Sequence, residues 1–580
     1  MSMNHPMDSG TSGRTLDRGD FLKLLGAAGI GAAAGANVLP GMADGAVKTK
    51  LDPTDFTFVR KEQYRPFDLL AENFVQLEDG FDTDTTGGYT VLTPGPERKA
   101  GAVESGDGEL RVSGEQHFTV LQSDTGQEAP YAAVIVDVKS LVGPGNGPED
   151  SIFAGLYKDA DNYVHAFYNN RQKIAGFDVV VNGQVFGLGT TRADLIPPFR
   201  FAFVANENEV TALVSDSTND YGFRPLIKRN ARRPNNPTGL DLRDTTVLAQ
   251  YKNGFGARAN EGGTIVLDSV QAGYFGEAGV RDPHVIQYAD GTPYIKDNKL
   301  YFTLTNAGLG FFEKAHWGVW TMDLSDYTKI EQAGNLFFRR ADGKVLGHHA
   351  GQLVLDESLG RWIVMVSTWG DFGENGVDIQ YVETPAAMDL LNGVHVLGGL
   401  RPHPVNALTP ASPGHWDPGL TLIDGRWYVA FVDTPVVFSD FQPALARSAP
   451  GADHTALTLV GRDESKRATE GPILQKLGGQ WRLLASCGDD EPAELRGKYP
   501  MYDLNMTFDG YLDAPHPTNI PHPQIVPLPF MDKRQKKTKY IMITFNGTQY
   551  FEPVLGYGTH GDFFVFEAIQ TVRGFEFEPR

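Results

Sequence analysis

From about residue 55 onward, apolar positions come in short runs of strand length, broken by Gly, Asn and Asp. In the first half, residues 131–138, 199–204 and 210–214 are such runs, and their spacing predicts a two-sheet β-sandwich. After residue 279 the pattern changes. A short motif is followed by an apolar run and then by an aromatic-rich strand. Between run and strand stands a tight turn, Asp424-Gly425 in one unit and Gly478-Gly479 in another. Apolar run, two-residue Gly turn and aromatic strand form a hairpin signature. It recurs as 299–304 with 317–322, 352–355 with 361–367, 420–423 with 426–432, 473–477 with 480–484, and 524–526 with 540–545.

The motifs opening these units are Arg281-Asp282-Pro283-His284, His348-His349-Ala350-Gly351, Trp416-Asp417-Pro418-Gly419, Thr469-Glu470-Gly471-Pro472 and Pro521-His522-Pro523-Gln524. Aligned on the second residue, Asp282, His349, Asp417, Glu470 and His522 are spaced 67, 68, 53 and 52 residues apart. A long-period repeat of strand-turn-strand units predicts radial architecture, here a five-bladed β-propeller over residues 279–580. Residues 47–278 form the expected sandwich. If the repeats close into a ring, two aspartates and a glutamate converge on its axis.

Composition adds limits. The 66 glycines, 36 prolines and 11% aromatic residues favour an all-β fold over helical bundles. A formal net charge of −21 disfavours nucleic acid and anionic membranes as partners. The basic run at 533–537 reads as a hairpin loop, and the turn-rich stretch 230–237 as a long loop within the sandwich. Cys487 is the single cysteine, which excludes an intrachain disulfide, and its apolar setting reads as a buried, inert thiol. Residues 1–46 have the form of an export signal: Arg14, Arg18 and Lys23, then an Ala/Gly-rich apolar stretch at 26–39, then small residues. That stretch is too short and weakly apolar for membrane insertion. Residues 17–23 resemble a bacterial twin-arginine signal with Gly19 in place of the second arginine, so the expected location is secreted, periplasmic or cell-surface.

Asp282-Pro283, Asp417-Pro418 and Glu470-Gly471-Pro472, in that order, resemble the motifs of glycoside hydrolase family 43, whose clan includes families 32, 62 and 68. The resemblance covers the C-terminal half. It implies a five-bladed propeller hydrolase of arabinofuranosidase or xylosidase type, with Asp282 as general base, Asp417 as the residue that tunes and orients the acid, and Glu470 as general acid. Arg281-Asp282-Pro283 also resembles the Arg-Asp-Pro motif of fructan-acting family 32, where it stabilises the transition state. A fructan- or galactofuranose-acting enzyme and a non-catalytic glycan-binding propeller are the alternatives. In the first half, residues 106–112, 154–168 and 266–274 resemble concanavalin-like (laminin-G-like) jelly-roll modules, which implies either a glycan-binding surface or a buttress.

The residue types suit that chemistry on their own terms. Glycosidic cleavage needs one protonated carboxyl for the leaving oxygen and one carboxylate acting on the other face of the sugar. A third carboxylate nearby raises the acid's pKa by like-charge repulsion. An inverting mechanism is expected. His349 and His522 share the motif phase; His349 is expected to bind substrate, and His522 to be a satisfied channel-lining histidine. Trp369, Trp416 and Trp317 are candidates for stacking on sugar, with core packing as the even alternative. Arg496 could hold a sugar hydroxyl. His560 resembles the late-blade histidine found near metal or substrate in such enzymes, reached through water. No cofactor is required, and a structural calcium in the channel is the one ion expected. The partner is an oligo- or polysaccharide.

Overall fold

The computed structural model describes residues 56–576, apart from 96–98, 143–150, 218–221, 234–236, 260–261, 478, 518, 533–536, 550–559 and 573–574. The export-signal segment, most of the basic run and part of the 230–237 loop therefore lie outside the described residues. Strand dominates, and among the described residues no helix is long and apolar enough to cross a membrane.

Two sheets come first. One has seven strands, with Ser151–Asp159 and Asn162–Asn169 near its middle; the other has eight, centred on Phe199–Asn206, Tyr131–Val142 and Gly263–Glu277. They pack face to face through Val134, Val136, Phe201 and Phe203 on one side and Val164, Ala166, Phe177 and Phe255 on the other. Alternate residues of the same strands, Tyr131, Ala133, Ile135, Ala202 and Val204, pack with Phe337, Val345 and Leu309 from the second half of the chain. Burial of both faces explains why residues 131–138 read as a continuous apolar run rather than an alternating one. Each large apolar side chain buried this way contributes about 1.5–3 kcal/mol.

Five further sheets follow, numbered here I to V. Their first strands are Val280–Val285, His349–Asp356, Gly414–Ile423, Thr469–Leu477 and Gln524–Asp532. Each packs on the next in a propeller arrangement. Trp317, Leu353 and Trp362 join I to II; Met365 and Trp427 join II to III; Leu445 and Leu483 join III to IV; Leu484 and Ile525 join IV to V. Sheet V returns to sheet I through Ile543, Phe563, Phe302 and Trp320, with the Phe302 and Phe563 rings stacked at 4.9 Å. Side-chain amides add polar stitches between sheets. Gln475 Oε1 accepts from Ile525 N at 3.0 Å, and Gln524 Oε1 accepts from Val285 N at 3.1 Å.

One strand falls elsewhere than its place in the sequence suggests. Phe56–Tyr64, within the stretch expected to belong to the sandwich, pairs antiparallel with His560–Val572 and forms the outer edge of sheet V. Its alternation of apolar and charged residues suits such an edge: Phe58 is buried, and Lys61 pairs with Glu567 at 3.1 Å.

Candidate active site

The first strands of sheets I to IV share a local distortion. Each carries a β-bulge, at Arg281/His284, His349/Gln352, Trp416/Gly419 and Glu470/Ile473. In each bulge one residue takes the left-handed conformation: Asp282 at φ 50°, Ala350 at 51°, Asp417 at 51° and Gly471 at 61°. The bulge bends the strand and re-aims the side chains around it. It also corrects the alignment made by eye. Asp282 and Asp417 are the left-handed residues, but their counterparts are Ala350 and Gly471, not His349 and Glu470. His349 and Glu470 stand one residue earlier, in the position of Arg281 and Trp416. The acids thus come from two adjacent positions of the repeat.

Hydrogen bonds tie the bulges together. Ser367 Oγ donates to Ala350 O at 2.7 Å and accepts from Asp417 N at 3.0 Å. Asp417 Oδ2 accepts from Gly471 N at 3.1 Å. Thr305 Oγ1 donates to Asp282 Oδ2 at 2.9 Å. Between the two aspartates stands His522, its Nε2 3.4 Å from Asp417 Oδ2 and 3.8 Å from Asp282 Oδ1. Its ring meets Phe545 edge-on, and a Cβ on Gly471 would fall 2.3 Å from it. Glycine at 471 therefore serves both the backbone angle and the close approach of the imidazole.

The site is buried and its charges are unequal. Arg281 lies 3.5 Å from Asp282 and over the Phe545 ring. Burial acts to raise the Asp282 pKa, but Arg281 and the neighbouring histidines outweigh it and hold the carboxyl below its usual range. Burial pushes Glu470 up to about 7, reinforced by the Asp282 charge and opposed by Arg281. Burial, with repulsion from Glu470 and Asp282, holds Asp417 well above the carboxylate range. The indole N–H of Trp416 makes no hydrogen bond of normal geometry, yet its influence on Glu470 favours the ionised form. His522 and His349 are pushed down to about 4 by burial, and His284 to about 3, so all three are neutral at pH 7.

A cavity of about 10 Å³ lies at the bulges, lined by residues including Asp282, His284, Asp417, Gly471 and His522. It has room for about one water. Glu470 is not in that lining. The nearest donor atoms of Asp417, Glu470 and His522 lie within 4.8 Å of one another. Two carboxylates and one imidazole fall short of the six to eight oxygen ligands a calcium ion takes, so this set does not fit a calcium centre.

The remaining expected residues divide. His349 is at the site, its Nδ1 3.0 Å from Gly347 O. Trp416 and Trp369 are buried side by side at 5.2 Å between ring centroids. Trp317 is core, between sheets I and II. Arg496 is exposed and donates through Nε to Glu491 O at 2.7 Å. His560 opens its strand, and its side chain lies outside the described residues. Cys487 is buried, with its thiol pushed up to about 11 by burial. Sequence reasoning gave Arg281 no role of its own and took His522 for a bland histidine. Aligning the motifs on the left-handed residue, rather than on the acids, would have put Arg281 in phase with Glu470.

No family model and no curated protein matches this chain. Among solved structures, an exo-1,5-α-L-arabinanase from a bovine ruminal metagenomic library is 13% identical, covering 54% of this chain and 93% of its own, with a TM-score of 0.27. The RS223 β-xylosidase is 13% identical, covering 52% and 95%, with a TM-score of 0.30. A carbohydrate binding module, CBM66 from Bacillus subtilis, is 10% identical over 31% of this chain and 91% of its own, with a TM-score of 0.22. Function is therefore read from the side chains of the site.

Proposed function

We propose that this chain is a glycoside hydrolase in which Asp282 is the general base, Glu470 the general acid, kept protonated by burial and the Asp282 charge, and Asp417 the neighbour that orients the acid through the Gly471 N–H. The observation that carries the reading is the opposed pKa pair: Asp282 is held below the usual carboxylate range, while burial pushes Glu470 up to about 7. Titratable groups pushed apart in one site mark acid and base roles. In this reading Asp282 removes a proton from the attacking water, and Glu470 gives its proton to the leaving oxygen as the glycosidic bond breaks. His522, neutral at pH 7, stands between the two aspartates without cancelling the base's charge. Arg281 keeps Asp282 ionised.

The finer reading is an inverting, family 43-like enzyme acting on furanosidic or pentosidic linkages. Sheets I to V are then five blades, and residues 47–278 a jelly-roll sandwich, less the strand Phe56–Tyr64 that joins sheet V. Residues 1–46 are an export leader. The test is hydrolysis of a panel of aryl glycosides and cell-wall polysaccharides, with product anomers followed by NMR. Release of sugar with inverted configuration supports the reading. Retained configuration contradicts the inverting mechanism, and no hydrolysis of any substrate contradicts the enzyme.

A further inference from the structure

Phe312, Trp369, Phe372 and Phe438 come from loops of sheets I, II and III and meet in one aromatic cluster. Phe312 meets Trp369 edge-on at 5.1 Å, and Trp369 lies nearly parallel to Phe438 at 6.2 Å, 17° between planes. Trp369 also touches Trp416, the residue beside Glu470, so the cluster runs from the acid outward. Phe438 is only half-buried and holds φ 60°, a conformation a bulky side chain rarely adopts. Strain of this kind collects at binding sites.

The loop carrying Phe312 is held by the sandwich. Leu309 N donates to Asn206 Oδ1 at 2.9 Å, and Lys228 Nζ donates to Leu309 O at 3.0 Å. Lys314 Nζ pairs with Glu207 at 2.9 Å, both buried. Tyr131 OH donates to Ala315 O at 2.9 Å. On sheet II, Arg243 of the sandwich segment pairs with Glu374, two residues after Phe372, at 3.0 Å. A buried ion pair is a poor source of net stability but a good means of fixing one geometry.

We propose that this cluster is the wall on which a neutral saccharide lies at the entrance to the carboxylates, and that the sandwich positions it through Asn206, Glu207 and Lys228. Phe438 and Phe372 present the half-exposed part of this surface, with Phe312 and Trp369 packed behind them, and an aromatic ring matches the apolar face of a sugar. This rests on the hydrolase reading and assigns the sandwich a part in building the active site. Phe438 then determines specificity, Phe312 and Trp369 back it, and Glu207 is a positioning residue.

The test compares wild type with Phe438→Ala, Phe438→Tyr and Glu207→Gln in the full chain, on arabino- and xylo-oligosaccharides and an aryl glycoside. Phe438→Ala should raise KM about tenfold with kcat little changed, and Phe438→Tyr should restore it. Glu207→Gln should raise KM in the same way without moving the pH profile. An unchanged KM in correctly folded Phe438→Ala overturns the proposal, whatever Glu207→Gln does. If wild type hydrolyses nothing, the hydrolase reading fails separately. The wall is then read from quenching of tryptophan fluorescence on titration with the same oligosaccharides. Quenching that Phe438→Ala abolishes upholds the wall, and no quenching in wild type overturns it.

Discussion

Gly471 donates its backbone N–H to Asp417 Oδ2 at 3.1 Å, so the bulge of sheet IV holds the carboxylate of the bulge before it. The same left-handed turn that offers this N–H places Glu470 one residue earlier, beside Trp416. The acid and its neighbouring carboxyl are thus fixed by a single piece of backbone.

Gly471→Ala should damage both stability and activity. The new Cβ meets the His522 ring at 2.3 Å, and that ring is backed by Phe545. Adding the cost of a left-handed alanine, the expected loss is about 2 kcal/mol or more. Urea denaturation with parallel rate measurements checks this; wild-type stability would show that the glycine is dispensable.

The alkaline limb of kcat/KM should fall near pH 7, because Glu470 must be protonated and its pKa is about 7. Arg281→Gln removes the cation that opposes protonation of Glu470 and should move that limb to higher pH. A pH–rate profile of both proteins decides it.

Acid should destabilise the fold. Burial pushes His284, His316 and His348 down to about 3, and His349 and His522 to about 4. These bases stay neutral in the fold while the unfolded chain protonates them below about pH 6.5. Their stabilising effect is complete above that pH and is lost as pH falls toward 4, at about 1.4 kcal/mol per pH unit for each histidine. Among the described residues, five carboxyls, Asp68, Glu207, Glu277, Asp417 and Glu470, are raised and act the other way, against eight lowered histidines once His165, His403 and His454 are added. Melting temperature measured from pH 7.5 to 4.5 should decline, with a shallower slope in His522→Gln.

Removal of residues through Tyr64 should loosen sheet V. The strand Phe56–Tyr64 is paired from Phe56↔Gln570 to Tyr64↔Phe563, and its loss bares the edge of His560–Val572. A lower melting temperature in the truncated chain is expected; an unchanged one would make the strand an ornament of the sheet.

The strand pairs, the repeat and the meeting of Asp282, Asp417 and Glu470 were legible because alternating apolar runs and Gly turns report directly on hairpins. The one-residue offset was not. A left-handed bulge position accepts Gly, Asp or, at Ala350, a small side chain, so the acids masked the true phase of the backbone. The destination of Phe56–Tyr64 was hidden for another reason. Pairing 499 to 514 residues away in sequence leaves no local trace. His522 was undervalued because a histidine's setting depends on which sheets meet around it.

The most direct measurement is the leaving-group dependence of Glu470→Ala hydrolysis. With an alkyl glycoside, whose leaving oxygen needs a proton, turnover should fall roughly hundred- to ten-thousand-fold. With a dinitrophenyl glycoside, which leaves without one, it should stay near the wild-type rate. An equal loss on both substrates, or none on either, would contradict Glu470 as the acid.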